Sequence, residues 1–394
     1  MINILYVHSS DNLYGSDQSL LRLIERLDRE KYKAIVVISN DVTDSGLLSS
    51  ELKNLGVKVV KAKLAVLRQQ YYSIRGFFQF IFRLITSTHF LIRLMRTEKI
   101  QIVHSNTSAV YSGAFAAKFS KIPHIWHVRE IILNPNILKR VNSWIIPALS
   151  TRIIANSMRT KDSIVGNNPR NLKKTEVIYN GIDLPRFDAY SGSGQQLRKA
   201  WEISDKTMLI GMVGRISYRK GQEYFVSVAS DVLEKHPNAK FVIVGGTIPG
   251  HENVKSELIA QVSQLEISGK VIIEDFREDI PAVMDALDVF VLPSILPESF
   301  GNVILEAMAM KKPVVANAHG GSIEIVDDDV TGFLVKPNDL DAMTEALCEL
   351  IENPQKRIKM GLEGRRRVEN CFSLDLYISS IQDLYNDIIG RVSI

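Results

Sequence analysis

Short, nearly continuous apolar runs alternate with longer amphipathic stretches along almost the whole chain. Residues 2–7, 35–38, 57–60, 101–104, 124–127 and 153–155 are runs of the first kind. Such runs predict strands buried on both faces. Between them, residues 17–28, 46–55, 74–97, 107–120 and 136–149 carry apolar positions at helical spacing. The alternation predicts a doubly wound α/β domain over residues 1–184. It stops near 184–196, where Pro185 and the Ser-Gly-Ser-Gly run at 191–194 predict a hinge. A second series follows, with strands expected at 208–213, 240–244, 271–274, 288–292 and 313–316. Its helices are expected at 220–235, 252–266, 301–310 and 339–351. This makes a second Rossmann-like domain over 185–374, with helix running on through 354–391. Two such domains imply a cleft facing the carboxyl ends of both parallel sheets, where open α/β sheets bind ligands.

Bulk composition agrees and adds one asymmetry. A length of 394 residues, 45% apolar and 23% charged, fits two soluble globular domains. Cys348 and Cys371 stand in no metal or redox spacing, which suits a reducing cytoplasm. The chain enters its first strand pattern at once, with no basic leader, and no apolar run is long enough to span a bilayer. Residues 1–184 hold 26 basic and 13 acidic residues, a net +13; the remainder holds 22 and 31, a net −9. Between Glu51 and Glu98 there are nine Lys or Arg and no acid. Opposite charge on the two halves implies different partners.

The densest chemistry lies at 298–306. Glu298 falls in the loop after an apolar strand, and Glu306 inside the next helix, four residues after Asn302 and on its face. Phe300, Gly301 and Asn302 sit at that helix start, where backbone N–H groups suit a phosphate. Two separated carboxylates beside an anion site suit a diphosphate with hydroxyl-rich groups at both ends, as in a nucleotide sugar. The plain alternative is a helix start whose acids favour the dipole. Upstream, Gly214 ends a strand, and Arg215 and Lys220 flank the loop after it. A guanidinium fork and an ammonium suit a diphosphate; a solvated basic turn is the alternative. Neither the Walker nor the dinucleotide glycine spacing occurs. Gly245-Gly246 reads as a close backbone approach to a ligand, and Gly320-Gly321 as a turn at the sheet edge.

In the first half, Gly15 opens a helix directly after strand one, with Ser16 or Asp17 as its cap. His8, His104 and His127 each end a strand, which predicts a polar wall of the cleft. His124, His127 and Glu130 mimic a metal spacing, but residues an odd number apart on a strand face opposite ways. With no Asp-x-Asp pair at a strand end, the expectation is no catalytic metal.

Taken in order, these pieces resemble the family-four retaining glycosyltransferases of the GT-B fold. The matching residues are Gly15-Ser16-Asp17, His127, residues 177–183, Gly214-Arg215 with Lys220, Glu298 with Glu306, Gly320-Gly321 through Glu324, and residues 331–335. The resemblance implies that Arg215 and Lys220 hold the donor diphosphate, Glu306 the ribose hydroxyls and Glu298 the sugar. It implies backbone contacts from Phe300, Gly301 and Asn302, and places Gly15 and His127 by the sugar and phosphate. It also implies retention of configuration, no metal or cofactor beyond the nucleotide-sugar substrate, and a last helix, 375–391, returning to the N-terminal domain. The chain departs from the pattern at Tyr14-Gly15, at Asp17 and at Val128-Arg129-Glu130.

Chemically, Arg215, Lys220 and the helix start oppose the charge that develops on the leaving phosphate. Glu298 then positions the donor, and no protein nucleophile is required. A glycosidase pair of carboxylates competes with this reading but leaves the cations without a use. An epimerase or phosphorylase of the same fold, or a non-catalytic sugar-nucleotide binder or membrane scaffold, are the alternatives. No nucleic-acid partner is expected. The amphipathic stretch 73–96 adds a partner: Phe77, Phe80, Ile81, Leu84, Leu91, Ile92 and Met95 fall on one face, Arg75, Arg83, Arg93 and Arg96 on the other. Core packing with a solvated basic face is the plain reading. The sharper one rests the face on anionic lipid, with Tyr71, Tyr72, Phe77 and Phe78 at headgroup level. It predicts a cytoplasmic enzyme, peripheral on the inner membrane, that serves a lipid-linked saccharide acceptor.

Overall fold

The computed structural model describes residues 1–41, 45–131, 136–165, 168–247 and 252–392. The chain divides into two compact units, Met1–Gly181 with Asp375–Ile394, and Ile182–Leu374. Each is a parallel sheet between helices.

The sheet of the first unit holds β1 (Ile2–His8), β2 (Tyr32–Ser39), β3 (Lys58–Ala62), β4 (Ile102–Ser105), β5 (His124–Val128), β6 (Arg152–Ala155) and β7 (Thr175–Val177). Their order is β3-β2-β1-β4-β5-β6-β7. The reversal between β1 and β4 is the point where ligands of doubly wound sheets bind. Interior strands such as β4 and β5 are buried throughout, as continuous apolar runs require. The edge strand β7, of three residues, is too short to show in the sequence pattern.

Leu5, Val7, Ile35, Val37 and Val103 pack on one face against Leu91 and Met95 of the helix Ile74–Thr97. That helix buries Phe80, Leu91 and Met95 as its spacing predicts. Phe77 does not join them and is exposed, and Arg83 is drawn inward over the Tyr71 ring. Tyr71 is itself buried against Phe80, so it is core and not a headgroup anchor.

In the second unit the strands are β8 (Leu209–Val213), β9 (Lys240–Val244), β10 (Val271–Glu274), β11 (Val289–Leu292), β12 (Val314–Asn317) and β13 (Gly332–Val335). They are ordered β10-β9-β8-β11-β12-β13, with the reversal between β8 and β11. The stretch expected as a hinge is structured. Leu184–Asp188 and Gly194–Ala200 are short helices of this unit. Gly194 N donates to Asp285 Oδ2 at 2.8 Å, and Arg198 pairs with Asp288. The glycine-serine run therefore ends in close packing where its composition suggested flexibility. The terminal stretch splits into Pro354–Cys371 and Leu374–Val392. The latter buries Tyr385 and Ile381 and ties Asn386 to Tyr32 in the first unit's fold.

Candidate functional site

In the second unit, the loops after β8 and β11 carry the expected residues to the reversal point of the sheet. Gly214 follows β8, and Arg215 is exposed beside it. Lys220 lies one turn on, its Nζ 2.7 Å from Glu298 Oε1. Ser294 Oγ donates to the same oxygen at 2.6 Å. Burial pushes the Glu298 carboxyl up, but the Lys220 charge and the bonds from Lys220 and Ser294 outweigh it and hold the group lowered. The carboxylate is thus ionised and fixed. Glu306 is buried in the helix Asn302–Ala309, which starts after Gly301 at φ +108°. Phe300, expected at the anion site, is buried against Phe372, so only its backbone is a candidate contact.

The glycines are explained by neighbours within the chain. A Cβ on Gly320 would stand 2.2 Å from Glu298 O, and one on Gly321 2.5 Å from the Phe300 Cα. Gly321 N donates to Glu298 O at 2.8 Å. The turn after β12 is therefore the bed on which Glu298 lies. Gly245, read as an approach to a ligand, is instead covered by backbone: its Cβ would meet Gly214 O at 2.0 Å. Asn317 Nδ2 donates to Pro293 O and Ser294 O and pins the Glu298 loop. Sequence reading missed Ser294 and Asn317. Neither belongs to a motif, and their roles depend on β11 and β12 being neighbours.

In the first unit, Gly15 is exposed at the start of the helix Gly15–Glu25. Asp17 Oδ2 accepts from Tyr14 N at 2.9 Å, the capping that the sequence predicts. Its other oxygen accepts from Ser10 Oγ and meets His8 Nε2, both at 2.6 Å. Burial raises the Asp17 carboxyl, and these bonds lower it below the ordinary range.

His8, His104 and His127 do gather at one end of the sheet, but all three are fully buried. They form one buried hydrogen-bonded network where a solvated wall was expected. His104 Nε2 is 3.2 Å from His127 Nδ1, and His104 Nδ1 is 2.7 Å from the Tyr385 hydroxyl. Tyr385 in turn is 3.0 Å from Tyr6 Oη. Arg129, buried two residues beyond His127, bonds Asn106, Asn180, Tyr377 and His127. Burial, then the Arg129 charge, depress both His104 and His127 well below the usual imidazole range. Among the described residues His127 Nε2 has no hydrogen-bond partner.

His124 points to the other face, bonds Ser105 and stacks edge-on to Trp126. Glu130 serves the loop at Thr107 and Ser108. The metal-like spacing is thus spent on structure. Asn106, Arg129, Tyr377 and Tyr385 went unread as site residues because each is unremarkable in its own segment. Only the return of the last helix brings the two tyrosines to the strand ends.

Two family models match the chain: Glycosyltransferase Family 4 over residues 7–186, and Glycosyl transferases group 1 over residues 194–367. The UDP-Gal:alpha-D-GlcNAc-diphosphoundecaprenol alpha-1,3-galactosyltransferase of Escherichia coli is 28% identical over 309 residues, 76% of this chain and 78% of its own. The capsular polysaccharide biosynthesis glycosyltransferase CapM of Staphylococcus aureus is 28% identical over 309 residues, 75% of this chain and 79% of its own. Anabaena Alr3699/HepE, solved in complex with UDP, superposes with a TM-score of 0.83 at 23% identity, covering 98% of this chain and 100% of that one. Sucrose-phosphate synthase from Thermosynechococcus elongatus gives 0.77 at 18% identity, covering 99% and 100%. Both structures share the fold of two Rossmann-like domains. With the two family models following one another across most of the sequence, this chain belongs to the family 4 glycosyltransferases of the GT-B fold and is a glycosyltransferase.

Proposed function

We propose that the enzyme takes its sugar from a nucleoside-diphosphate sugar and transfers it, with retention of configuration and without a metal ion, to a lipid-linked saccharide in cell-surface polysaccharide synthesis. The observation that carries the donor half is the grouping of Arg215, Lys220 and Glu298 at the β8/β11 reversal. On this reading Arg215 and Lys220 bind the diphosphate, Glu306 the ribose hydroxyls, and Glu298 the sugar. The backbone at Gly214, Phe300, Gly301 and Asn302 lies along the donor, and Gly15 and His127 act from the first unit. As the glycosidic bond breaks, charge grows on the leaving phosphate, and the two cations stabilise it. That phosphate takes the acceptor proton while the acceptor oxygen bonds the anomeric carbon from the same side. Glu298 stays ionised, tied to Lys220 and Ser294, and orients the sugar without attacking it.

The acceptor half rests on the relatives and on one surface. The Escherichia coli relative is named for a diphosphoundecaprenol-linked acceptor. No helix among the described residues is long and apolar enough to cross a membrane. The helix Ile74–Thr97 nevertheless exposes Ile74, Phe77, Phe78, Phe82 and Ile85 beside Arg75. Such a surface suits peripheral attachment to anionic lipid at the inner face of the cell membrane.

A thermal-shift screen against uridine, guanosine and adenosine diphosphates and their sugars tests the donor, since a bound ligand raises the melting temperature. One of these nucleotides should stabilise the protein; indifference to all of them overturns the donor assignment. The matched donor should then release its nucleoside diphosphate faster when a polyprenyl-diphosphate saccharide is added, with or without EDTA. Loss of turnover in EDTA that Mn²⁺ restores would defeat the metal-free step.

A further inference from the structure

Arg129 fixes the direction of every hydrogen bond around His127. A guanidinium has only donors. Its Nη2, 3.3 Å from His127 Nδ1, therefore requires a lone pair on that nitrogen. The ring proton of His127 then sits on Nε2. His104 Nε2, 3.2 Å from the same lone pair, must donate to it, so His104 carries its proton on Nε2 and accepts on Nδ1. Tyr385 donates to that Nδ1 at 2.7 Å, and Tyr6 donates to Tyr385 at 3.0 Å. Arg129 sets the polarity on its other side as well. Arg129 Nε donates to Asn106 Oδ1 at 3.0 Å, so Asn106 Nδ2 faces His8 Nδ1 as a donor at 3.2 Å, and His8 Nε2–H is left to donate to Asp17. One residue sets a chain of fixed polarity through Tyr6, Tyr385, His104 and His127, and a second through Asn106, His8 and Asp17.

The chain ends on a single loose donor. His127 is fully buried, and its Nε2 finds no partner among the described residues. Buried donors are nearly always paired, so one left open at a strand's carboxyl end marks a place for an incoming acceptor. Arg129 strengthens that N–H. Its guanidinium is buried and bonds the neutral groups Asn106, Asn180, Tyr377 and His127, and no carboxylate pairs with that guanidinium among the described residues.

We propose that Arg129 is a positioning residue that holds His127 in one tautomer, with Nε2–H presented to a substrate oxygen and the opposite tautomer forbidden. The role of His127 in transfer rests on the function proposed above; the tautomer does not. A histidine free to turn its lone pair outward would repel the same oxygen, so the network acts on the reaction and not only on folding.

The test uses the whole chain with ¹⁵N-labelled histidine. Two-bond proton–nitrogen spectra report which ring nitrogen of each histidine carries the proton. Wild type should show Nε2–H at both His127 and His104, with Nδ1 bare. Tyr385→Phe and His104→Leu leave the guanidinium in place, and His127 should keep Nε2–H in both. Arg129→Leu removes the donor that sets the polarity and should leave His127 mixed or inverted, whereas Arg129→Lys, which keeps a cationic donor, should restore Nε2–H. With the donor selected by the thermal-shift screen, Arg129→Leu should lose about tenfold or more in kcat while KM for the donor stays within about twofold. Arg129→Lys should recover most of that loss. Nδ1–H at His127 in wild type, or a tautomer indifferent to Arg129→Leu, overturns the proposal. Normal tautomers with no nucleotide-sugar turnover in wild type would instead overturn the proposed function and leave the positioning network intact.

Discussion

Lys220 Nζ lies 2.7 Å from Glu298 Oε1, so the cation assigned to the diphosphate and the carboxylate assigned to the sugar neutralise each other in this structure. A diphosphate that enters must draw Lys220 from Glu298 or share it. Lys220→Ala should therefore weaken binding of the free nucleoside diphosphate by about tenfold to a hundredfold, the range of a charge-assisted bond. Glu298→Gln should leave that affinity equal or tighter, because it frees the ammonium, while turnover falls. Isothermal titration of both variants decides the matter. Wild-type affinity in Lys220→Ala would remove Lys220 from the diphosphate site.

Stability should depend on pH through the buried histidines. Burial lowers His124 to about 3, and His104 and His127 are depressed well below the ordinary value. Each group has a lower affinity for protons in the folded chain than in the unfolded one. The unfolded state therefore binds more protons below the ordinary imidazole value of about 6.5. Stability should be complete above that pH and fall as the medium is acidified toward the folded-state values. Each histidine contributes a slope of up to roughly 1.4 kcal/mol per pH unit. Thermal melts from about pH 8 down to about pH 5, the window in which an ordinary histidine changes charge, measure it. His124→Asn should flatten the dependence. A melting temperature unchanged by acidification, in wild type and variant alike, would contradict it.

The alternation of apolar runs made both sheets legible, because interior strands buried on two faces leave an unmistakable pattern. It could not show β7 and β13, which are short edge strands. The residues proposed for the donor stood out in the sequence for a related reason. Arg215, Lys220, Glu298 and Glu306 are charged residues at strand ends and a helix start, where charge is informative. What the sequence hides is what a side chain faces. Gly245 permits an approach of backbone, and the backbone is Gly214's own. The three histidines share a sheet end, but Tyr385, distant in sequence, closes over them. Phe77 has core spacing on its helix, yet the sheet below is already covered by Phe80 and its neighbours.

Gly320 offers a test of the bed beneath Glu298. Its φ is +59°, and a methyl group there would stand 2.2 Å from Glu298 O. Gly320→Ala combines left-handed strain of about 1–2 kcal/mol with a backbone clash that must move the Glu298 loop. The melting temperature should fall by several degrees, at roughly 2–4 °C per kcal/mol for a unit of this size. Turnover in the surviving folded protein should fall further than nucleotide affinity. Gly269→Ala is the control, since nothing lies within 4 Å of its added methyl group. Equal melting temperatures for the two variants would show that the turn yields without cost.

The exposed face of the helix Ile74–Thr97 makes the membrane proposal sharper than charge alone. Ile74, Phe78, Phe82 and Ile85 fall within an arc of about 80° at helical spacing. Phe78 and Phe82 are 68% exposed and Ile85 65%. Because β3 and β4 both run parallel to β1–β2 in the same sheet, this crossover helix starts at the sheet's carboxyl end. The apolar arc therefore lies at the end of the unit that also holds His127. Of the nine cations between Glu51 and Glu98, Lys61 and Arg68 are committed elsewhere: Lys61 pairs with Asp11 and Arg68 with Asp41, each at 2.7 Å. The exposed Arg75, Arg93 and Arg96 remain as candidates for lipid headgroups, each adding about 1 kcal/mol near an anionic surface. The protein should float with anionic vesicles, and high salt should release only part of it, because the apolar contribution is not screened. Changing Phe78, Phe82 and Ile85 to Ser should abolish the salt-resistant part. Changing Arg75, Arg93 and Arg96 to Glu should abolish the preference for anionic over neutral lipid. Absence of flotation with either vesicle, or a bound fraction untouched by both sets of changes, would leave a dissolved saccharide as the better acceptor.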